Sequence, residues 1–428
     1  MNTAVAELPE VQTHQFVLTD DQQKALNAFY NFLLDPSETV FVLRGYSGCG
    51  KSTLVHTLLD RLPNFQRTIK LINPSTKEYT PVLTATTNKA AENLTQITGD
   101  EAKTIHSHLG LRVQTDFKTN ITTLIPRSNN MDKRHQELLF IDEASYIDAQ
   151  LLGYIFKLTV NCKIVFIGDP AQLTPVKSIG APVFDAKFPG AALTQVVRQA
   201  EGNPIVDLAT KFRGTVNTGQ FFSFKPDGHH IMLLDRNDFN KKIEQEFTRP
   251  DWRFRDSKIL AWTNKCVINY NQFVRNLAKG DPHFQVNDYA VCNSFVQLSK
   301  SSIKTDQMVQ ITGIEPEIEY RGVLGNFMWL DHSFRLFHPK SLKDKNDRAK
   351  QARAEDDIGL AAEIDTQWVD LRAAYACTIN KAQGSTYDEV FIDLDDISRC
   401  SSGDQIARML YVAVSRARNH VYLTGDLC

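Results

Sequence analysis

Residues 40–52 read Val-Phe-Val-Leu-Arg-Gly-Tyr-Ser-Gly-Cys-Gly-Lys-Ser and join an apolar run to a glycine-rich loop. From Gly45 to Ser52 the loop fits the pattern G-x-x-x-x-G-K-[ST] at every defined position. In such loops the glycines let backbone N–H groups point at phosphate oxygens, the lysine reaches the outer phosphates and the hydroxyl ligates Mg²⁺. The stretch therefore predicts a strand, a phosphate-binding loop and a helix that together bind a nucleoside triphosphate.

The alternative is a glycine-containing turn before an ordinary helix. Apolar residues follow the loop at helical spacing from Leu54 to Leu62, which gives the order of strand, loop and helix that a phosphate site requires. We therefore expect the loop itself to contact the nucleotide, through Gly45, Tyr46, Ser47, Gly48, Cys49, Gly50, Lys51, Ser52 and Thr53.

Length and composition indicate a globular chain of about two to four domains. The 428 residues are 42% hydrophobic, and no apolar run approaches the length of a membrane span. The N-terminus lacks the basic-then-apolar pattern of a secretory signal. We expect a soluble, cytoplasmic protein without a membrane partner, placed in the host cytoplasm if the chain is viral.

Cysteine and charge patterns favour neither a metal centre nor a broadly basic surface. The seven cysteines never form a C-x-x-C pair, and the pair His229-His230 has no ligand partner at zinc spacing. We expect reduced thiols and no structural metal. The net charge of −2 means that any groove for nucleic acid must be basic only locally.

Short apolar strands alternate with helical segments along the chain, which is typical of an α/β fold with parallel sheets. A helix is expected from Leu18 to about Leu34, with Thr19 as its N-cap. Two sheets fit better than one, with a changeover near Arg198 to Pro204. The predicted strands are Val40 to Leu43, Pro81 to Ala85, Leu138 to Ile141, Lys163 to Ile167, Lys258 to Trp262, Val390 to Leu394 and His420 to Thr424.

Three segments interrupt this alternation. Residues 109–127 alternate apolar and polar side chains around Lys118-Thr119-Asn120, which predicts a small hairpin. Residues 284–338 contain short strand-like runs broken by glycines, which predicts a small β-barrel. Between Lys340 and Asp357, eleven of eighteen residues are charged, which predicts a solvated helix or a mobile linker.

Acidic and amide side chains follow two of the predicted strands. Asp142 and Glu143 come directly after Leu138 to Ile141, where one carboxylate can hold Mg²⁺ and the next can orient and deprotonate the attacking water. We assign Asp142 to the metal, together with Ser52, and Glu143 to the water. Gln172 follows the next strand and is placed to contact the γ-phosphate or the water.

Hydrolysis also requires positive charge at the transferred phosphoryl group, because negative charge builds up on its oxygens. Arg198 and Arg416 are the candidates for this role. Lys51 supplies the third cationic group of the expected catalytic set.

From Leu18 to about Leu423, the order of segments resembles the superfamily 1 DNA helicases, and within them the RecD-like group with the Dda-like phage helicases. The similar segments are Leu18–Gln22 (the Q-motif), Gly45–Ser52 (I), Thr104–Ser107 (Ib), Asp142–Ser145 (II), Gly168–Leu173 (III), Leu193–Arg198 (the first arginine finger), Thr378–Ser385 (V) and Leu410–Ala417 (VI with the second finger).

The resemblance implies two RecA-like parallel-sheet motor domains. The expected domain 1A covers residues 1–200 with a hairpin or pin insertion 1B at about 107–130. The expected domain 2A covers residues 201–428 with an SH3-like β-barrel insertion 2B at about 284–370. It further implies that Gln22 reads adenine, that Gly384 lies at the nucleotide, and that ATP and Mg²⁺ are the cofactors.

The implied activity is ATP-dependent movement from 5′ to 3′ on single-stranded DNA, with separation of duplex strands at a fork. We expect a monomeric motor with possible replication or recombination protein partners. The alternatives are a DNA-independent P-loop ATPase and a motor subunit of a larger recombination complex.

The expected DNA contacts are less specific than the nucleotide contacts. Two departures from the family pattern affect them: Asn380 stands where motif V usually has His, and Thr84–Lys89 lacks the usual proline of motif Ia. Trp262 fits base stacking and a core position equally well, and Phe117 is the candidate for a strand-separating pin. The expected contacts are Thr86, Asn88, Lys89, His106, Phe117, Trp262, Asn264, Thr378 and Lys381.

Overall fold

The structure, a computed structural model, describes residues 18–116, 121–128, 132–174, 180–195, 202–281, 283–298 and 301–427. In this part of the chain, no helix combines the length and apolar composition that a membrane span requires.

The strands are β1 Val40–Gly45, β2 Thr80–Ala85, β3 Ala102–Thr104, β4 Leu111–Asp116, β5 Ile121–Pro126, β6 Arg134–His135, β7 Glu137–Asp142, β8 Thr159–Val160, β9 Lys163–Gly168, β10 Gly190–Leu193, β11 Ile231–Leu234, β12 Ser257–Ala261, β13 Tyr289–Cys292, β14 Val296–Gln297, β15 Ser302–Ile303, β16 Met308–Tyr320, β17 Val323–Leu330, β18 Phe334–Pro339, β19 Leu371–Ala373, β20 Ala376–Thr378, β21 Tyr387–Asp393 and β22 Ala417–Thr424.

The helices are α1 Asp20–Leu34, α2 Lys51–Ile72, α3 Asn88–Thr98, α4 Ile105–His108, α5 Ala149–Leu158, α6 Pro182–Asp185, α7 Pro204–Thr218, α8 Arg236–Phe247, α9 Asn264–Lys279, α10 Leu342–Ala354, α11 Ile358–Gln367, α12 Ile379–Ala382, α13 Leu394–Ile397 and α14 Gly403–Val414, with a 3₁₀ turn at Ala144–Tyr146. Thr19 caps α1 through a reciprocal capping box with Gln22, as its sequence predicts.

A six-stranded parallel sheet, in the order β10-β1-β9-β7-β2-β3, forms the centre of what we call the first lobe. Its central strands are apolar on both faces because helices cover both, and Leu138 to Ile141 are fully buried. Strands β1, β7 and β9 are neighbours, so the phosphate loop, Asp142 and Asp169 emerge at one edge of the sheet.

A second parallel sheet, in the order β11-β22-β21-β12-β20, forms the centre of the second lobe. The expected changeover near Arg198 to Pro204 lies partly outside the described residues, and α7 begins at Pro204. The α/β class with two parallel sheets is therefore confirmed.

Antiparallel strands account for the segments that interrupt the alternation. Strands β4 and β5 pair with each other, and a five-stranded sheet has the order β18-β17-β16-β13-β19. Helix α10 carries most of the charged segment 340–357, but Lys345, Ala349 and Ala352 are buried on one of its faces. The prediction of a solvated helix or linker was therefore wrong for that face, since Lys345 packs its stem inside and donates to Trp368 O at 3.0 Å.

Candidate functional site

The phosphate loop curls between β1 and α2 around its lysine. Gly48 and Gly50 have φ of 82° and 74°, a region that glycine adopts without strain. A Cβ at Gly45 would lie 2.9 Å from Lys51 Cγ, so only glycine leaves room for the lysine stem. Lys51 Nζ donates to Gly45 O at 2.6 Å and Tyr46 O at 3.0 Å. These two hydrogen bonds hold the Lys51 ammonium group inside the curve of the phosphate loop.

Two adjacent carboxyl groups end strand β7 beside this loop. Glu143 has φ 54° and ψ 45°, a left-handed conformation that is unusual for a side-chain-bearing residue and concentrated at functional sites. Its N–H donates to Asp142 Oδ1 at 2.8 Å. Burial, followed by the charge of Asp142, raises the pKa of Glu143 to about 7, and burial also raises the pKa of Asp142. A carboxyl group with a pKa near neutrality suits general-base chemistry.

Arg416 brings a cation from the second lobe to the first. Arg416 is 4% exposed, and its guanidinium donates to Ser385 O at 3.1 Å and to Ser47 Oγ in the phosphate loop at 3.3 Å. The other candidate arginine, Arg198, lies outside the described residues.

Gln172 lies at the seam between the lobes. Its buried side chain accepts a hydrogen bond from Gln383 Nε2 at 3.2 Å, and its backbone carbonyl accepts one from Arg408 at 2.8 Å. The motif that contains Gln172 therefore contacts two elements of the second lobe.

Gln22 and Gly384 approach the site from opposite lobes. Gln22 Nε2 donates to Cys49 O at 3.4 Å, which ties α1 to the phosphate loop. A Cβ on Gly384 would lie 3.6 Å from Glu143 Oε1, and Gly384 O accepts from Asn93 Nδ2 at 2.7 Å.

A cleft of about 760 Å³ connects these groups. Both lobes line it, so most of the nucleotide-site residues expected from sequence are brought together, although Gly45, Tyr46 and Cys49 are not among its lining residues. The Arg213 guanidinium carbon lies 3.7 Å from the centroid of the Tyr46 ring. Cys49 is buried in the first lobe. The expected residues that line the cleft are Gln22, Ser47, Gly48, Gly50, Lys51, Ser52, Thr53, Asn88, Lys89, Asp142, Glu143, Gln172, Lys381, Gly384 and Arg416.

Several expected DNA contacts are bonded to protein groups. Thr86 is buried and donates to Glu143 O at 3.1 Å. Asn88 Nδ2 donates to Thr305 O at 3.4 Å, which joins α3 to the antiparallel insertion. Lys381 Nζ donates to Asp306 Oδ1 at 2.6 Å. These side chains link the elements that border the cleft.

The remaining candidates differ in exposure. Lys89 lies 5.9 Å from the Tyr387 ring centroid, and burial lowers the pKa of both Lys89 and the half-buried His106. Thr378 caps α12 by accepting from Lys381 N. Trp262 is 37% exposed beside the exposed Asn264, so the core alternative for Trp262 is wrong. Phe117 lies outside the described residues.

Interlobe contacts that the sequence analysis missed surround the same cleft. Tyr146 OH donates to Asn380 O at 2.7 Å, a contact that uses the backbone and does not depend on the missing histidine. Tyr411 OH donates to Asp169 Oδ2 at 2.5 Å. Asp169 and Tyr411 belong to the segments that resemble motifs III and VI, so the sequence could have indicated that they lie at the cleft. Asn93 belongs to none of the quoted segments, so its contact with Gly384 was not indicated by the sequence.

Two family models match the chain. The model described as an AAA domain matches residues 17–225, and the model described as a UvrD-like helicase C-terminal domain matches residues 373–424. The first match covers the nucleotide loop and the second covers Arg416.

Individual proteins are similar over most or part of the chain. The ATP-dependent DNA helicase dda of Enterobacteria phage T4 is 26% identical over 462 aligned positions, covering 95% of this chain and 98% of that protein. The ATP-dependent RecD2 DNA helicase of Deinococcus radiodurans is 32% identical over 171 residues, covering 39% of this chain and 21% of that protein.

Among solved structures, Pif1 helicase from Bacteroides in complex with ADP-AlF3 and ssDNA has a similar fold. The TM-score is 0.51 at 16% identity, with 96% of this chain and 93% of that chain covered. The parallel sheets of the two lobes match the two RecA-like domains of this fold.

Proposed function

We propose that this chain is a superfamily 1 helicase of the RecD and Dda type, in which ATP hydrolysis in the interlobe cleft drives the unwinding of DNA. The observation that carries this function is the contact between Arg416 of the second lobe and Ser47 of the phosphate loop. A site completed by both lobes makes hydrolysis depend on how the lobes are arranged. A change in that arrangement can therefore move the DNA contacts of one lobe relative to those of the other lobe.

Residues of both lobes divide the work of hydrolysis. Lys51 binds the outer phosphates, Glu143 orients the attacking water and accepts its proton, and Arg416 stabilises the charge that develops on the γ-phosphoryl oxygens. Gln172 and Arg198 complete the proposed set, and Gln22 contacts the adenine. The buried position of Arg416 supports its role, because a charge–charge contact is strongest where water is excluded.

Ser52 and Asp142 are the proposed metal ligands. Both line the cleft beside Lys51 and offer a hydroxyl and a carboxylate oxygen, the hard donors that Mg²⁺ accepts. Bound there, Mg²⁺ would neutralise charge on the phosphates during their transfer.

We propose domain boundaries that follow the two sheets. Domain 1A covers residues 1–200 and domain 2A covers residues 201–428. The pair β4–β5 belongs to an insertion at about 107–130 that acts as a strand-separating pin, with Phe117 as the proposed strand-separating residue. The five-stranded antiparallel sheet belongs to an SH3-like insertion at about 284–370.

Single-stranded and forked DNA are the proposed tracks, with movement from 5′ to 3′ by a monomer. The strand crosses both lobes near Trp262, Asn264 and His106, whose side chains are at least partly exposed to solvent. Aromatic stacking and phosphate contacts of this kind bind single strands with little sequence preference. Protein partners in replication or recombination remain compatible with this arrangement.

Strand displacement tests the proposal directly. Duplexes with a 5′ tail, a 3′ tail or a fork are incubated with the protein, ATP and Mg²⁺, and the released strand is quantified. We expect release from forked and 5′-tailed duplexes. Equal release from a 3′-tailed duplex would refute the polarity, whereas ATP hydrolysis without release from any duplex would favour a DNA-independent ATPase.

A further inference from the structure

Helix α14 docks on the first lobe through one of its faces. Gln405, Arg408 and Tyr411 are three residues apart and therefore share that face. Gln405 Nε2 donates to Thr174 Oγ1 at 3.2 Å, and Arg408 donates to Pro170 O and Gln172 O, each at 2.8 Å. The helix thus follows the loop at residues 169–174 and ends two residues before Arg416.

Tyr411 extends this contact to the phosphate loop. Its hydroxyl donates to Asp169 Oδ2 at 2.5 Å and accepts from Ser47 N–H at 3.0 Å. Ser47 N–H also lies 3.1 Å from Asp169 Oδ2, so the three groups form a closed network. Tyr411 is 2% exposed and Asp169 is fully buried. Burial, followed by the charge of Asp169, raises the pKa of Tyr411 well above its usual value, so its hydroxyl keeps the proton that it donates.

We propose that Tyr411 is a positioning residue that holds Ser47 of the phosphate loop in place when the lobes close. The Arg416 guanidinium is then correctly placed to contact the nucleotide. This inference rests on the proposed function. Both partners of Tyr411 lie in the first lobe and Tyr411 lies in the second, so its hydrogen bonds exist only while the lobes are together. The hydrogen bond from Ser47 N–H to Asp169 Oδ2, in contrast, lies within the first lobe and does not require the second lobe.

A consequence for kinetics follows. If ATP first binds the open first lobe, hydrogen bonds that form when the second lobe closes stabilise the closed complex that leads to hydrolysis and contribute little to that first binding step. Loss of the Tyr411 hydroxyl should therefore lower kcat and leave KM near its wild-type value. A residue that merely supported the fold would lower thermal stability, or raise KM along with the loss of kcat.

The test compares Tyr411→Phe with Tyr270→Phe in single-stranded-DNA-stimulated ATP hydrolysis. Tyr270 is a matched control because it is also buried and its hydroxyl donates to a carboxylate, Asp393 Oδ2, at 2.6 Å, but within the second lobe. Removing a hydrogen bond to a charged group should lower the kcat of Tyr411→Phe about tenfold or more. We expect Tyr270→Phe to retain wild-type kcat and KM.

Asp169→Asn provides a second variant for the same network. Because Tyr411 acts through Asp169 and Ser47, the double variant should lose less kcat than the product of the two single losses. Melting temperatures of all variants identify any that fail to fold.

Independent, multiplicative losses, or a folded Tyr411→Phe with wild-type kcat, would overturn this inference alone. Wild-type protein without DNA-stimulated hydrolysis would instead refute the proposed function.

Discussion

The two ends of the interlobe cleft, which we name the nucleotide end and the nucleic-acid end after the ligands that we propose for them, are built differently. At the nucleotide end, Lys51, Glu143 and Arg416 converge from three separate elements on one cleft. At the nucleic-acid end, Asn88 is bonded to Thr305 and Lys381 to Asp306, so candidate DNA contacts are paired with protein partners. The first end is organised by strand termini of rigid sheets, and the second by a turn of the antiparallel insertion.

This difference has a consequence for binding. A ligand at the nucleotide end competes with neutral carbonyl and hydroxyl oxygens for Lys51 and Arg416, whereas a phosphate at the nucleic-acid end must compete with the charged Asp306 carboxylate for Lys381. Substitutions at the nucleotide end should therefore affect chemistry, and substitutions at the nucleic-acid end should affect DNA affinity.

The largest effect is expected for Arg416→Ala. Removing an arginine that stabilises the transferred phosphoryl group should lower the kcat of ATP hydrolysis by about 10³-fold or more. Affinity for single-stranded DNA, measured by fluorescence anisotropy, should change far less. A DNA-binding defect as large as the catalytic defect would show that the nucleotide end also determines DNA affinity.

Trp262→Ala tests the nucleic-acid side with a smaller expected effect. Stacking on one base contributes about 1–3 kcal/mol, so affinity for single-stranded DNA should fall by about tenfold. Trp329 is a suitable control, since it is 41% exposed on β17, within the antiparallel insertion. If Trp262→Ala and Trp329→Ala weaken binding equally, Trp262 has no specific contact with DNA.

Asp306→Asn should act in the opposite direction. Without the carboxylate, Lys381 Nζ keeps only the neutral one of its two described acceptors, Asn293 Oδ1 at 3.0 Å. A DNA phosphate should then compete better for Lys381, so binding should tighten a few-fold, and the slope of log affinity against log salt should steepen by up to about one unit. Asp365→Asn removes the same charge at similar exposure, 42% against 40%, from a distant ion pair. Identical affinities for the two variants would show that overall charge, and not competition for Lys381, sets the effect.

Lys258 lines the same cleft, where its Nζ donates to Ala374 O, and its substitution should affect stability more than DNA affinity or chemistry. Burial, aided slightly by Lys89 and opposed by Cys377, lowers the pKa of Lys258 to about 8. An unfolded lysine keeps its proton to about pH 10.4, so between these values the unfolded chain binds more protons and the free energy of unfolding rises with pH.

Lys258→Met should remove this rise, which we expect to be about 1.5 kcal/mol between pH 8 and 9.5. Urea unfolding of both proteins at the two pH values measures it. A pH dependence that is unchanged in Lys258→Met would show that other groups titrate in this range.

The nucleotide end could be predicted from sequence because its residues stand at fixed places in local segments. A strand followed by the loop pattern placed Lys51, and a strand followed by Asp142 and Glu143 placed the carboxyl groups on a neighbouring strand. The left-handed backbone of Glu143 could not be foreseen, since nothing in its residue type requires φ of 54°.

The nucleic-acid end could not be predicted to the same degree because its contacts join remote segments. Asn88 and Thr305 are 217 residues apart, and no periodicity or spacing relates them. Helix α10 illustrates the same limit, because the packing that buries Lys345 depends on Trp368, in a later segment.

In the mechanism that we propose, both lobes must meet for ATP to be hydrolysed, and DNA favours their meeting. The most direct measurement is the rate of ATP hydrolysis by the wild-type chain as single-stranded DNA is titrated in. We predict a steep, saturable rise that is absent in Arg416→Ala. A wild-type rate that is the same at every DNA concentration would show that DNA does not promote the meeting of the lobes.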